Sequence, residues 1–217
     1  MALPATHIRF AAALSERLSV ANMPAYLSGT LYPDSRWLTG VDRKQTHDRR
    51  FLDPGFPEND FDLGWHIHCA ADRIQADIHA SLFPDLAELA PDDRWIRVSA
   101  AKAVQDRSDA DGGKLDGWLP FLNDTRTPNG ESAEGVAAYL GLVRRVYSRG
   151  TAPEWSDYAE LWAGVGLGRR KIGRIEEQME RILADEALVN KLQGSFSRMV
   201  HRYVSSGVMM PINRSQR

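Results

Sequence analysis

DFDLGWHIHCAADRIQADIHASL, residues 60–82, is the strongest helical signal in the chain. At about 100° per residue it places His68, Asp72 and His79 within roughly 40° of one another on one face. Gly64 lies about 40° from His68, leaving room for another backbone or a bound ion. Phe61, Trp65 and Ile78 supply apolar area nearby or on the flanks. Two imidazoles and a carboxylate along one face are how a helix offers ligands to a metal. His66 points about 200° away from His68 and falls outside the set. A histidine and an aspartate four apart also form ordinary hydrogen-bonded pairs, so the helix alone leaves both readings open.

The segments around it read as further helices. Thr6 can cap one running through Leu18, with His7 in its first turn. Met23 to Leu27 suits a short helix with Pro24 at its first position, ending at Gly29, followed by a loop through Leu31-Tyr32-Pro33-Asp34. The stretch 42–59 is dense in charge and then in proline and glycine, a connection with a turn or two of helix. Asn59 or Asp60 caps the central helix. Downstream, Asp92 or Asp93 can cap a helix from Arg94 to about Asp106, and 108–130 reads as a long connection that tucks in Trp118 to Leu122. Ser132 opens a helix to about Ser148. Pro153 sits just inside another, and Lys171 to about Ser205 gives one or two more with three-to-four apolar spacing. No segment alternates convincingly at period two. The expected class is all-α, in one domain over 1–217, with the candidate site in about 1–83 and a helical remainder in about 84–217.

Composition narrows the function. A chain of 217 residues with a formal charge of -2 has no global pull toward nucleic acid or an anionic membrane. The single Cys69 excludes a disulfide framework and reads as a small buried residue. No apolar run approaches the ~20 residues that span a bilayer, and the N-terminus makes a poor signal peptide, so a cytoplasmic location is expected. Gly164 to Gly168 follows a helix rather than a strand and lacks the Lys-Ser/Thr of a phosphate loop, so it reads as a helix breaker.

Five of the six histidines lie within the first 79 residues. In order the chain offers His7 on a helix, Gly29-Thr30-Leu31-Tyr32-Pro33-Asp34, Thr46-His47, and Gly64-x-x-x-His68-x-x-x-Asp72. This series resembles the zinc-dependent phospholipase C family, related to the fungal zinc-dependent single-strand nucleases, in the form of its smaller bacterial members. The likeness covers about the first 80 residues. It implies a helical fold holding zinc that cleaves phosphate esters, with His7, Asp34, His47, His68 and Asp72 as metal ligands and Asp34 also orienting or deprotonating the attacking water. Independently of any family, imidazole and carboxylate suit zinc, which lowers the pKa of its water to about 7. Two ions ~3.5–4 Å apart can be bridged by a carboxylate such as Asp72.

The chain also departs from the family pattern. Six residues precede His7, where secreted members use the amino terminus as a ligand. No second His-x-x-x-Glu/Asp pair follows, since His201 has Ser205 four residues on. His79 is a weaker candidate ligand, and one or two ions are expected rather than three. Arg36 and Arg50, from a basic group that ordinarily is just solvated surface, are weak candidates for holding a substrate phosphate. The substrate expected is a small-molecule or lipid phosphoester, with nucleic acid not favoured. Two alternatives remain: an HD-type phosphohydrolase using His47-Asp48, or a non-catalytic helical scaffold whose histidines and aspartates pair or hold one structural ion.

Overall fold

The computed structural model describes residues 3–112 and 115–206, which are helical with no strand among them. The α-helices are α1 (Pro4–Ser15), α2 (Met23–Leu31), α3 (Arg36–Thr39), α4 (Arg43–His47), α5 (Asp60–Leu82), α6 (Pro91–Gly112), α7 (Ala133–Tyr147), α8 (Trp155–Gly164), α9 (Arg169–Leu183), α10 (Glu186–Gln193) and α11 (Ser195–Ser205). Short 3-10 turns over Tyr32–Ser35 and Arg49–Leu52 link α2 to α3 and α4 toward α5. One buried apolar cluster runs from Leu3 in the lead-in to α1 to Tyr203 in α11.

α5 has the bounds the sequence predicts. Asn59 caps it by accepting the backbone N–H groups of Phe61 and Asp62, and Asp60 and Asp62 suit its positive end. Its most intimate neighbour is α2, and two glycines make that contact possible. A Cβ on Gly64 would fall 2.0 Å from the Tyr26 carbonyl oxygen, and one on Gly29 would fall 2.1 Å from that of Phe61. α2 therefore does not end at Gly29 as expected. The glycine is a contact point inside the helix, which continues to Leu31. Gly64→Ala should cost about 3 kcal/mol or more, above ordinary overpacking, because the atoms met are rigid backbone. A denaturant midpoint close to wild type would contradict this contact.

α6 is longer than its apolar pattern suggests, because part of its buried face is polar. Lys102, Gln105, Asp106 and Asp109 are all buried at i, i+3, i+4 and i+7. Two of them hold α1. Thr6 is not a helix cap: the N-cap is Leu3, which makes no side-chain bond. Instead the Thr6 N–H donates to Asp106 Oδ1 at 2.8 Å, and its hydroxyl donates to Asp109 Oδ2 at 2.8 Å. Asp106 also accepts from the hydroxyls of Tyr147 and Tyr158. Asp106→Ala should cost roughly 3–5 kcal/mol, since three buried donors lose their acceptor. Burial, with Asp109 adding to it, pushes the Asp106 carboxyl up to about 7 against the pull of its three hydrogen bonds. Its folded value thus lies above the unfolded value near 4, so its stabilising contribution is complete below about pH 4 and is lost as pH rises to about 7. Asp106→Asn should flatten that part of the stability–pH curve, measured by denaturant unfolding across this range.

Beyond α6, Leu119 and Leu122 are buried as the apolar patch predicts. Ser132 caps α7. The glycine run breaks the chain between helices, with Gly166 at φ 86° and Gly168 as the N-cap of α9. The last segment forms three helices rather than one or two, divided where Asp185 caps α10 and where Gly194 separates α10 from α11.

Candidate metal centre

Four segments bring ligand-type side chains together: α1 with His7, the 3-10 turn with Asp34, the end of α4 with His47, and α5 with His68 and Asp72. α4 is only five residues long, but Asp42 closes a capping box with Gln45 that fixes its start. Trp65 then ties its end to α5 by donating its indole N–H to the Thr46 carbonyl at 2.7 Å. Asp34 follows Pro33 directly after α2, so the α2–α5 contact at Gly64 also sets its position.

The ring nitrogens carry defined roles. His68 Nδ1 lies 2.8 Å from the Thr30 carbonyl oxygen. A carbonyl only accepts, so Nδ1 bears the proton and Nε2 presents a lone pair. That lone pair points at His47 Nε2, 3.2 Å away. His47 Nδ1 is 2.7 Å from the Thr46 hydroxyl, which also reaches the Arg43 carbonyl. A side-chain or carbonyl partner on the far nitrogen of each imidazole is the support that metal-ligating histidines use. Asp34, His47 and His68 offer ligand atoms that all lie within 4.8 Å of one another. Asp34 Oδ1 is 3.9 Å from His47 Nε2. Without an ion, one proton between the two imidazoles satisfies both; a cation can take that place and use both lone pairs.

Asp72 lies beside this group, one turn further along α5. Its Oδ2 lies 3.7 Å from His47 Nε2 and 4.0 Å from His68 Nε2, and its Oδ1 lies 3.8 Å from His7 Nε2. His7 stacks on His68 with centroids 4.2 Å apart and planes 11° from parallel. Both His7 ring nitrogens are buried without a hydrogen-bond partner, an expense that a bound water would relieve. Burial, then the neighbouring His68, lowers the His7 pKa well below its usual value, and the same two causes bring His47 down to about 3. Both rings are therefore neutral near pH 7, the state that ligation requires. Burial alone would push the Asp72 carboxyl up, but the Lys102 ammonium beside it holds it well below the usual range.

His79 does not join the cluster, although it shares the helix face. Its Nε2–H donates to Gln105 Oε1 at 2.8 Å, in a buried group with Gln75. His66 faces away as helical spacing predicts, with Nδ1 2.8 Å from the Phe51 carbonyl oxygen. His201 is exposed on α11. Asp48 is turned out: its Oδ1 accepts the Arg50 N–H at 2.9 Å and caps a 3-10 turn, so the His47-Asp48 pair is no joint ligand set. Cys69 is buried, as expected of a small core residue, and burial pushes its thiol up.

An open cavity of about 420 Å³ leads to the cluster. Among the residues lining it are His47, Asp72, Cys69, Lys102, Arg43, Arg49 and Arg73. The weak phosphate candidates Arg36 and Arg50 are not on its wall. Arg36 lies over the Trp37 ring and Arg50 over the Phe51 ring. The basic residues at the cavity are the neighbours Arg43 and Arg49, with Arg73 from α5 and Lys102 from α6. Sequence reasoning missed Lys102, whose only signal is its place on the polar stripe of α6.

No protein-family model matches the sequence, and no curated protein or solved structure matches it. No helix of the described residues is long and apolar enough to cross a membrane.

Proposed function

We propose that this chain is a metal-dependent hydrolase of phosphate esters, with zinc as its ion and a small-molecule or lipid phosphodiester as its substrate. The observation that supports it most is the pair of Nε2 atoms of His47 and His68, 3.2 Å apart beside the Asp34 carboxylate. A divalent cation on Asp34, His47 and His68 would supply an acidified water and positive charge for the phosphoryl oxygens, with Asp72 beside it. The order of the sequence motifs points the same way. The cavity favours a catalytic over a purely structural ion, because a structural zinc site is closed on all sides.

The residues of the chain divide the remaining work. The resemblance gives Asp34 the task of orienting water, but Asp34 is 3 % exposed and is not on the cavity wall, which favours ligation. Asp72 is the carboxylate open to the cavity. With its pKa held low, it orients a water by accepting a hydrogen bond rather than by taking the proton. Arg43, Arg49 and Arg73 bind the anionic substrate and raise its local concentration.

The test is elemental analysis of protein purified without chelator, together with hydrolysis of a chromogenic phosphodiester. Zinc should be present, and activity should disappear with chelator and return with zinc. Metal without activity would support a structural ion in a helical scaffold, and activity indifferent to chelator would overturn the metal-dependent reading.

A further inference from the structure

We infer that the cluster takes a single divalent cation and that the Lys102 ammonium stands in the position of a second one. This rests on the metal-dependent reading above and deepens it by fixing the number of ions and the source of the second positive charge. Lys102 projects from α6 and is 7 % exposed. Its Nζ donates to Asp72 Oδ1 at 2.9 Å. The two oxygens of Asp72 are thereby divided. Oδ2 faces His47 and His68, the side of the Asp34 group, while Oδ1 faces His7 and Lys102.

A carboxylate with one oxygen on each side is how an aspartate joins two ions in a two-metal site. On the His7 side, however, a fixed positive charge already sits at hydrogen-bond distance from the shared oxygen. A second dication there would be repelled by the ammonium. Among the residues of this cluster it would find only two donors, His7 Nε2 and Asp72 Oδ1, where a catalytic zinc uses three protein ligands. His7 keeps a use without that ion, since its stacked ring fixes the plane of His68. Lys102 also lines the cavity beside Asp72, so the second cation offered to an incoming phosphate belongs to the chain itself.

The experiment counts zinc. Wild type, Lys102→Arg and Lys102→Glu are stripped with chelator, reloaded with zinc, freed of excess by gel filtration and analysed for metal per chain, with circular dichroism to confirm folding. One ion is expected in wild type and in Lys102→Arg, which keeps the charge. Two are expected in Lys102→Glu, where a carboxylate joins His7 and Asp72 as a third ligand. Lys102→His, another three-ligand set, replaces the Glu variant if that does not fold. Two ions in wild type would overturn the inference without any variant, and one ion in every folded variant would show that Lys102 does not set the number. No zinc in wild type is a different failure, because it removes the metal-dependent reading itself.

Discussion

Chelating the ion should lower the melting temperature by roughly 8–16 °C, and zinc should restore it. The ion would join three segments that are far apart in sequence, with Asp34, His47 and His68 each on a different one. A ligand bound only by the folded state adds RT ln(1 + [L]/Kd), about 4 kcal/mol at a thousandfold excess over Kd. For a domain of this size each kcal/mol corresponds to ~2–4 °C. The loss should be uneven. α1 stays tied to α6 through Thr6, Asp106 and Asp109, and α5 stays tied to α6 through Asp72 and Lys102. Asp34 and the short α4 have less to hold them, so hydrogen exchange should rise first over about 32–52. Thermal melts with and without chelator, with metal removal checked by elemental analysis, decide the matter. An unchanged melting temperature after verified removal would favour a scaffold that needs no ion.

The contrast between α5 and α6 shows what the sequence could disclose. α5 has an Asn cap, acidic residues in its first turn and a helical order of apolar positions, and its bounds are legible to the residue. α6 is of nearly the same length, but Lys102, Gln105, Asp106 and Asp109 interrupt the apolar pattern at buried positions. These groups are stable there only because α1, α5, α7 and α8 supply partners, and partners distant in the chain leave no local trace. The same holds at the site. Helical spacing separates His66 from His68 correctly. It also places His79 on the ligand face, and it has no means of knowing that Gln105 will engage that ring two turns further along. Gly29 is a similar case: a glycine reads as a helix end until the neighbouring backbone at Phe61 is seen.

His68→Ala should lose the ion and the activity together, by more than the roughly 10–100-fold that removing an outer-shell partner costs. His68 is fully buried, its Nδ1 is held by the Thr30 carbonyl, and its Nε2 is central to the cluster, within 4.0 Å of both His47 and Asp72. Truncation removes one donor and the surface on which His7 stacks, so His7 is displaced as well. His66→Ala makes the comparison sharp, because it deletes the same side chain two residues earlier on the same helix. His66 is itself buried and bonded to the Phe51 carbonyl, so its loss should lower stability by about 1–3 kcal/mol while leaving zinc content intact. Asp77→Ala, on the exposed face of α5, should change neither. Zinc per chain and the melting temperature of the metal-free protein, measured on all three variants, separate the two effects. Metal loss belongs to His68 alone, whereas His66 lowers the metal-free melting temperature with zinc content unchanged. Equal zinc loss in the His66 and His68 variants would mean that the ion is not held by the face of α5 that carries Asp72.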